Sequence, residues 1–275
     1  MRQTIFITGA SSGIGKATAH YFHGKGWNVV ATMRDPAQAD DLAALPQVLV
    51  TRMDVTDGTS ITAAVGAAHA RFGGIDALLN NAGYGAYGPL EAFDLDGIRR
   101  QFDTNVIGLL EVTRAVLPGM RAQGKGVIVN ISSIGGRMTF PLGSLYHGTK
   151  FAVEGLSEAL HYELEPLGIR VKVVEPGMIA TDFSGRSLDF RQTPELAAYQ
   201  PVVEKFFAVL GSPEMAATAS PPSVVSEAIW AAATDTTPRL RYTAGADAAA
   251  YMAARSAQDD ATFIGGIKAQ FGLGM

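Results

Sequence analysis

Short hydrophobic runs alternate with stretches of helical periodicity through the first two thirds of the chain. The runs are nearly continuous, as in segment 127–131, which is typical of strands covered by helices on both faces. Strands are predicted at Thr4–Thr8, Asn28–Thr32, Val48–Arg52, Ala77–Asn80, Gly126–Ser132 and Arg170–Glu175. Helices are predicted at Ile14–Gly24, Ala37–Leu45, Ser60–Phe72, Ile98–Arg121 and Thr149–Leu167.

Repeated strand–helix alternation of this kind indicates right-handed crossovers between parallel strands. The predicted fold class is therefore α/β, a doubly wound Rossmann-type sheet of about seven parallel strands with helices on both faces.

The pattern changes after Gly177. Residues from about 183 to 222 show no clear strand, and two helices are predicted around Pro194–Leu210. This insertion is too rich in aromatic and leucine side chains for disorder, so we expect a helical lid over a substrate. A helix at Ser223–Ala233, a strand at Leu240–Thr243 and a C-terminal helix with a loose tail in about 244–275 complete one predicted domain, residues 1–275, whose cofactor-binding part spans about 1–182.

Composition and charge exclude several classes of function. The net charge of −4 gives no general attraction to nucleic acid or to anionic membranes. No apolar stretch approaches the roughly 20 residues that cross a bilayer, and the start of the chain does not read as a signal peptide. We therefore expect a cytoplasmic protein without nucleic-acid or membrane partners. The chain has no cysteine, and His20 and His23 lack a third ligand, so no metal site is predicted.

A glycine-rich turn follows the first predicted strand and opens the first helix, with the sequence Thr8-Gly9-Ala10-Ser11-Ser12-Gly13-Ile14-Gly15. A pyrophosphate must approach the backbone closely, and the N–H groups of a helix N-terminus attract it. The turn therefore predicts a dinucleotide site, with a plain βα turn as the alternative.

Cofactor choice is read at the end of the second strand. An acidic residue there binds the ribose hydroxyls of NAD, whereas an arginine accommodates the 2′-phosphate of NADP. This chain has Met33 at the acidic position, followed by Arg34 and Asp35. NADP(H) is predicted as the preferred cofactor, and NAD(H) stays possible because Asp35 is able to pair with Arg34.

Tyr146 precedes Lys150 by four residues, which places the two side chains on one face of a helix. A nearby cation lowers the pKa of a phenol, as a general acid/base for alcohol chemistry requires. Ser133 ends the preceding strand and offers a hydroxyl to a developing alkoxide. Chance gives roughly 0.2 Tyr–Lys pairs at this spacing, and roughly 0.01 with a serine at the fixed distance.

Together these motifs resemble the short-chain dehydrogenase/reductase family. The resemblance rests on the glycine turn, on Asn80-Asn81-Ala82-Gly83, on Asn105, Ser133, Tyr146 and Lys150, and on Pro176-Gly177 followed by Thr181. It covers roughly residues 3–182.

The resemblance implies a role for each matching residue. The catalytic set is Asn105, Ser133, Tyr146 and Lys150, with Tyr146 as the proton donor or acceptor and Asn105 holding a relay water behind Lys150. The cofactor set is Gly9, Ser11, Ser12, Gly13, Ile14, Gly15, Arg34, Asp54, Val55, Asn81, Ala82, Gly83, Tyr146, Lys150, Pro176, Gly177, Ile179 and Thr181. Residues beside these motifs are candidates for the substrate pocket: Tyr84, Phe140, His147, Met178 and Phe183.

The predicted function is an NADP(H)-dependent oxidoreductase that interconverts a ketone or aldehyde and an alcohol, acting on a medium-sized apolar small molecule. The alternatives are a non-catalytic NADP(H)-binding regulator, and epimerase or dehydratase chemistry on the same scaffold. The helix around Val106–Met120 is apolar on more than one face, as in the paired helices of this family, so a homodimer or homotetramer is expected.

Overall fold

The computed structural model describes residues 2–181 and 187–274. Seven strands form one parallel sheet in the order β3-β2-β1-β4-β6-β7-β9, and two short strands, β5 and β8, pair separately. The strands are β1 Thr4–Ile7, β2 Asn28–Met33, β3 Val48–Arg52, β4 Ala77–Asn80, β5 Gly85–Tyr87, β6 Gly126–Ile131, β7 Ile169–Pro176, β8 Leu188–Phe190 and β9 Arg241–Ala244. This sheet order confirms the predicted fold class, because the chain winds outward in both directions from β1 and β4.

The helices are α1 Gly13–Gly24, α2 Asp40–Ala43, α3 Gly58–Phe72, α4 Leu95–Phe102, α5 Gly108–Gln123, α6 Ser144–Leu164, α7 Gln200–Leu210, α8 Pro213–Thr218, α9 Pro222–Thr234, α10 Ala246–Ala257 and α11 Asp260–Gln270. Helices α1 and α9 cover one face of the sheet, where Phe22 and Ile229 enter the first core. Helices α3, α5 and α6 cover the other face, with Ile61, Val112 and Leu164 in the second core. In the described ranges, no helix is both long and apolar enough to cross a membrane.

The predicted helix Ile98–Arg121 is interrupted in the structure. A π-helical turn, Asp103–Ile107, separates α4 from α5. Gly108 begins α5 in close contact with Val55, and a Cβ at Gly108 would lie 2.8 Å from the Val55 side chain. The interruption therefore reflects tertiary packing around the turn, which helical periodicity alone does not reveal.

The predicted helix Ala37–Leu45 is divided into two short helical segments in the structure. Residues Pro36–Gln38 form a 3₁₀ turn, and α2 is α-helical. The Asp35 side chain accepts a hydrogen bond from the Ala37 N–H and so begins a short turn at Pro36. Ala39 then leaves helical geometry at φ −132°, which stops the turn.

The region predicted as a strandless lid contains a strand. β8 pairs in parallel with β5, so that Leu188 lies opposite Gly85 and Phe190 opposite Tyr87. Three residues are too short to give an alternation signal, which explains why sequence reasoning missed both strands. The two predicted lid helices correspond to a 3₁₀ segment, Pro194–Tyr199, followed by α7.

The C-terminal region is more ordered than predicted. Where a helix and a loose tail were expected, the structure has two helices, α10 and α11. Asp259 caps the second by accepting a hydrogen bond from the Thr262 N–H. Phe263 is buried beside Ile134, Met138 and Ala248, which attaches α11 to the loop after β6.

Candidate active site

The glycine turn lies at the carboxyl ends of the central strands. Gly9 and Gly13 have φ of +67° and +54°, a region that disfavours side chains. A Cβ at Gly15 would lie 2.3 Å from the Gly9 carbonyl oxygen and 2.6 Å from Asn81 Nδ2. The turn therefore adopts this conformation, in which a phosphate is able to approach the backbone closely, only because these positions are glycine.

Asn81 holds the turn in place through its side chain. Its Nδ2 donates to the carbonyl oxygens of Thr8 at 2.9 Å and Gly9 at 3.0 Å. In return, the Thr8 hydroxyl oxygen accepts hydrogen bonds from the N–H groups of Asn81 and Ala82, both at 2.9 Å. The sequence predicts that Asn81 binds the cofactor. In the structure, its amide nitrogen is hydrogen-bonded to the backbone of the turn.

The N-terminus of α1 is open to an anion. Ser12 occupies the N-cap in extended geometry, and its hydroxyl caps no N–H of the helix. The first-turn N–H groups and the positive end of the helix dipole are therefore presented at the turn beside Ser11 and Ile14. Gly13 faces Thr181, since a Cβ added there would lie 3.6 Å from the threonine methyl. This cradle fits the pyrophosphate of a dinucleotide.

The far end of the cradle carries the residues predicted to contact adenosine. Arg34 directly follows β2 and is exposed. Asp35 bonds to the Ala37 N–H at 3.1 Å and to Gln38 Nε2 at 3.2 Å, so its carboxylate serves the 3₁₀ turn. Burial raises the pKa of the Asp54 carboxyl. Two hydrogen bonds from Thr56 and the charges of Arg34 and Arg52 outweigh that effect and hold the pKa below its usual range. Asp54 is therefore a carboxylate.

Ser133 and Tyr146 meet at the end of β6. Ser133 caps a 3₁₀ turn, Ile134–Gly136, and its Oγ accepts a hydrogen bond from the Gly135 N–H at 3.0 Å. Tyr146 lies in the first turn of α6 and shares a hydrogen bond with Ser133. A strand end and a helix start thus place two hydroxyl groups side by side.

Lys150 lies one turn further along α6 and is almost fully buried. Its Nζ donates to the Ile131 carbonyl oxygen at 2.9 Å and lies 5.7 Å from the centroid of the Tyr146 ring. Burial lowers the pKa of Lys150 to about 8, against the opposing charge of Glu154. The ammonium is therefore held behind the tyrosine by β6.

The pKa of Tyr146 departs from its ordinary value in the direction opposite to the one expected. Burial raises the pKa of the phenol, and the hydrogen bond from Ser133 offsets only part of that effect. Desolvation disfavours the charged form of the phenol, and the spacing of Tyr146 and Lys150 along the chain carries no information about it. The phenol of Tyr146 is therefore protonated at neutral pH in this structure.

Asn105 lies in the π-helical turn and is buried. Its Oδ1 accepts from the Tyr84 N–H at 3.0 Å, while Nδ2 donates to the Tyr84 carbonyl oxygen at 2.9 Å and to Thr149 Oγ1 at 3.0 Å. Gly83 lies against the same side chain, since a Cβ there would be 3.0 Å from Asn105 Oδ1. The Asn105 amide therefore joins the loop after β4 to α6.

His147 is buried and fixes the loop that follows Ser133. Its Nδ1 pairs with the Gly135 carbonyl oxygen at 3.0 Å, and its Nε2 accepts from the Phe140 N–H at 3.1 Å. This pairing requires the proton on Nδ1. Burial lowers the pKa of His147 to about 4. Predicted to touch substrate, His147 has both ring nitrogens occupied, so it offers a ligand only the edge of the ring.

The other predicted substrate residues come from separate segments of the chain. Tyr84 is partly buried, and its hydroxyl oxygen accepts from Arg100 Nε at 3.3 Å. Phe140 packs beside Met138 and Tyr251. Phe183, also predicted, lies outside the residues that the structure describes.

The segment after β7 was predicted to hold the nicotinamide. The Met178 N–H donates to Asp247 Oδ2 at 2.7 Å. A Cβ at Gly177 would lie 2.2 Å from that oxygen, so glycine allows the carboxylate of α10 to reach the backbone. Pro176 ends β7 and Ile179 bridges to Ser220, which connects this segment to the end of the lid.

Six aromatic rings form a closed circuit that starts and ends at Tyr146. Its members, in order, are Tyr146, Tyr87, Phe206, Phe271, Phe140 and His147. Neighbouring ring centroids lie between 5.4 Å and 6.4 Å apart. We call this set the aromatic circuit. A cavity of about 420 Å³, lined by Phe140, Leu142 and His147 among others, lies beside it.

Tyr87, Phe206 and Phe271 were absent from the predicted site. Tyr87 lies 5.4 Å from Tyr146 between ring centroids, and burial raises its pKa well above the ordinary value. Tyr87 follows the Asn-Ala-Gly motif by four residues, and this position beside the motif is the sequence signal that points to it. Phe271 carries no sequence signal of its own, since it lies in the C-terminal region that is predicted to be a loose tail.

Buried charges lie behind the site. Glu175, 2% exposed, immediately precedes Pro176. Arg137 Nη1 lies 3.3 Å from its Oε1, and Arg241 Nε lies 3.9 Å from the same oxygen. Arg241 also binds Glu154 at 2.9 Å. Among the described parts of the chain, no cluster of three or more histidine or acidic side chains is arranged to hold a metal ion.

Fold and site together define a dinucleotide-dependent enzyme of the Rossmann type. The short chain dehydrogenase family model matches residues 3–192, and the chain belongs to this family of oxidoreductases. An oxidoreductase of Schizosaccharomyces pombe is 46% identical over 88% of this chain and 100% of its own length. Human retinol dehydrogenase 8 is 35% identical over 87% of this chain and 80% of its own.

Solved structures give the same result. A short-chain dehydrogenase from Streptomyces avermitilis superposes with a TM-score of 0.81 at 34% identity, covering 93% of this chain and 92% of the other. The 3-ketoacyl-(acyl-carrier-protein) reductase of Brucella melitensis, solved with NADH, gives 0.71 at 25% identity over 88% and 96%. A nicotinamide cofactor is therefore supported for this fold, whichever of the two forms it takes.

Proposed function

We propose that this chain reduces ketones or aldehydes to alcohols, and catalyses the reverse reaction, with NADP(H). The observation that carries the proposal is the hydrogen bond between Ser133 and Tyr146 in front of the buried Lys150. These groups lie at the same sheet edge as the glycine cradle, since β1 and β6 both flank β4. A hydride carrier held in the cradle is thereby brought to the two hydroxyl groups.

The proposed roles follow from this geometry. When bound, the nicotinamide supplies or accepts the hydride. Ser133 Oγ binds the carbonyl oxygen of the substrate, and Tyr146 transfers its proton to that oxygen as charge develops. Lys150 places a positive charge behind the phenol, which stabilises the phenolate that proton transfer leaves. At neutral pH the phenol of Tyr146 holds its proton, which is the form that the reductive direction needs.

A preference for NADP(H) over NAD(H) is supported by Arg34. Its guanidinium is exposed at the end of β2, where the 2′ position of the adenosine ribose is expected. Asp35, the residue that was able to neutralise it, bonds instead to Ala37 and Gln38. Replacing Arg34 with alanine is expected to raise the KM for NADPH about tenfold or more and to leave that for NADH unchanged.

A medium-sized apolar substrate is supported by the aromatic circuit and by one relative. Five of the six rings are carbocyclic, and the four other than Tyr146 come from separate parts of the chain and form an apolar wall beside it. The human relative is named for retinol, a compound of this size and polarity. Aromatic aldehydes and alicyclic ketones are therefore the first substrates to test.

The test is oxidation of NADPH over a panel of such carbonyls. The wild-type chain is expected to turn over at least one of them, and Tyr146→Phe is expected to lower kcat at least a hundredfold. Tyr162→Phe is the matched control, because Tyr162 lies on the same helix with a side chain 68% exposed. Wild-type inactivity on the whole panel, or full activity of Tyr146→Phe, contradicts the proposal.

We also propose that residues 1–275 act as one domain and assemble as a homodimer or homotetramer. Ile107, Phe151 and Tyr162 are large hydrophobic residues with exposed fractions of 49%, 46% and 68%. The π-helical turn and α6, which carry them, supply an apolar face. Light scattering on Phe151→Glu is expected to give a smaller particle than the wild-type chain, and an unchanged mass contradicts this role for Phe151.

A further inference from the structure

We propose that Phe271 is a specificity-determining residue that closes the aromatic circuit and limits the length of the substrate. The proposal rests on the proposed carbonyl reductase function, and it extends the site to a residue more than 120 positions after the catalytic tyrosine.

Phe271 lies between Phe206 and Phe140, two rings of the circuit that make no contact with each other among the described residues. It stacks on Phe206 of α7, with centroids 5.9 Å apart and planes 12° apart. It also meets Phe140, on the loop after Ser133, at 6.4 Å. Phe206 in turn stacks on Tyr87, which contacts Tyr146. Without Phe271, the wall is open between α7 and that loop.

Polar contacts on both sides of Phe271 hold its ring in this position. Lys205 Nζ, next to Phe206 in the sequence, donates to the Gly272 carbonyl oxygen at 2.6 Å. On the other side, Gln270 Nε2 donates to the Tyr251 hydroxyl oxygen at 2.7 Å. Phe271 itself is 5% exposed. The backbone around the ring is thus tied to α7 and to α10, which distinguishes it from the chance contact of a loose tail.

A substrate whose carbonyl lies between Ser133 and Tyr146 extends its apolar part toward this wall. Phe271 then provides a ring face to substrates that end at the circuit and blocks those that are longer. A single aromatic contact changes affinity by about tenfold, and blocked space excludes a longer molecule. The expected signature is a change in the preference for length, while cofactor binding stays unaltered.

The experiment compares kcat/KM for benzaldehyde, a short probe, with that for 4-phenylbenzaldehyde, a longer one. Phe271→Ala is expected to shift the long-to-short ratio about tenfold toward the longer aldehyde, with an unchanged Kd for NADPH. Phe271→Leu keeps most of the volume and is expected to give a smaller shift.

Phe207→Ala is the matched control. Phe207 is the next residue on α7, and its ring packs on Phe190 at 4.7 Å and on Phe206 at 5.5 Å. At 40% exposed it contacts no other ring of the circuit among the described residues, and it is not a member. Its ratio is expected to equal that of the wild-type chain.

Three results overturn the proposal: an unchanged ratio in both Phe271 variants, an equal shift in Phe207→Ala, or a uniform loss of activity on both aldehydes accompanied by a lower Tm. The last result would indicate a purely structural role. If the wild-type chain turns over neither aldehyde nor any other carbonyl, the proposed function fails as well. Normal wild-type turnover with an unchanged ratio refutes only the role of Phe271.

Discussion

Glu175 is expected to make the protein less stable as the pH rises through neutrality. Burial and the nearby charge of Glu154 raise the pKa of Glu175 to about 7 from the ordinary 4.5, although Arg137 and Arg241 act in the other direction. The folded state therefore holds a proton on this carboxyl at pH values where the unfolded chain has released it. The stabilisation is complete below the unfolded pKa and is lost as the pH rises through the folded one.

The magnitude follows from the difference between these two pKa values. At about 1.4 kcal/mol per pH unit, a rise from 4.5 to about 7 corresponds to roughly 3 kcal/mol of unfolding free energy. Glutamine has a similar shape and carries no titrating proton. The stability difference between Glu175→Gln and the wild-type chain should therefore change by up to this amount, in favour of the variant, between about pH 5 and about pH 8. Losing the Arg137 contact also costs unfolding free energy. If that cost is the same at every pH, it does not alter how the stability difference changes with pH.

Urea unfolding at several pH values measures this difference directly. The control is Glu158→Gln, which removes a carboxylate bound to Arg241 at 2.6 Å and 46% exposed. Its pKa is lowered by that arginine, so its effect should appear only at acidic pH. A flat stability difference for Glu175→Gln from about pH 5 to about pH 8 refutes the reasoning, because the carboxyl would then be ionised throughout that range.

Three further changes probe the site. Gly15→Ala would place a Cβ 2.3 Å from the Gly9 carbonyl oxygen, so NADPH binding followed by nicotinamide fluorescence should be abolished; normal affinity would show that the turn yields. Asn105→Ala leaves the Tyr84 N–H without its buried acceptor, although the Tyr84 carbonyl oxygen keeps Gln101 Nε2 at 3.0 Å, and should lower the unfolding free energy by about 2 kcal/mol. His147→Leu removes two buried hydrogen bonds and should cost about 2 kcal/mol in urea unfolding, whereas a stability equal to wild type would mean that the loop reorganises without loss.

The strands of the central sheet could be predicted almost completely, because the residue pattern within each strand is enough to identify it. The strands at Val48–Arg52 and Ala77–Asn80 have the predicted bounds, and the other predicted strands agree to within one residue at each end. Buried parallel strands form continuous apolar runs in the sequence, and these runs are recognisable whatever the side chains pack against. The π-helical turn and the β5–β8 pair depend on contacts between segments that are distant in the sequence. The residue pattern within either segment therefore does not predict them.

The candidate site divides in the same way. The spacing along one strand end and one helix predicts that Ser133, Tyr146 and Lys150 meet, and the structure places the three side chains together. The direction of the Tyr146 pKa was wrong, since desolvation depends on the three-dimensional surroundings. Phe206 and Phe271 lie far apart in the sequence and stack only after folding, which is why the apolar wall was underestimated.

The aromatic circuit shares little with the scaffold that carries the cofactor turn. The two cores that flank the sheet include Phe6, Phe22 and their neighbours, but neither Phe206 nor Phe271. Exchanging Phe206 or Phe271 therefore leaves the packing between sheet and helices in place. Under the role proposed for these two rings, substitutions there change which substrates are accepted, while Tyr146 and the cofactor turn stay unaltered.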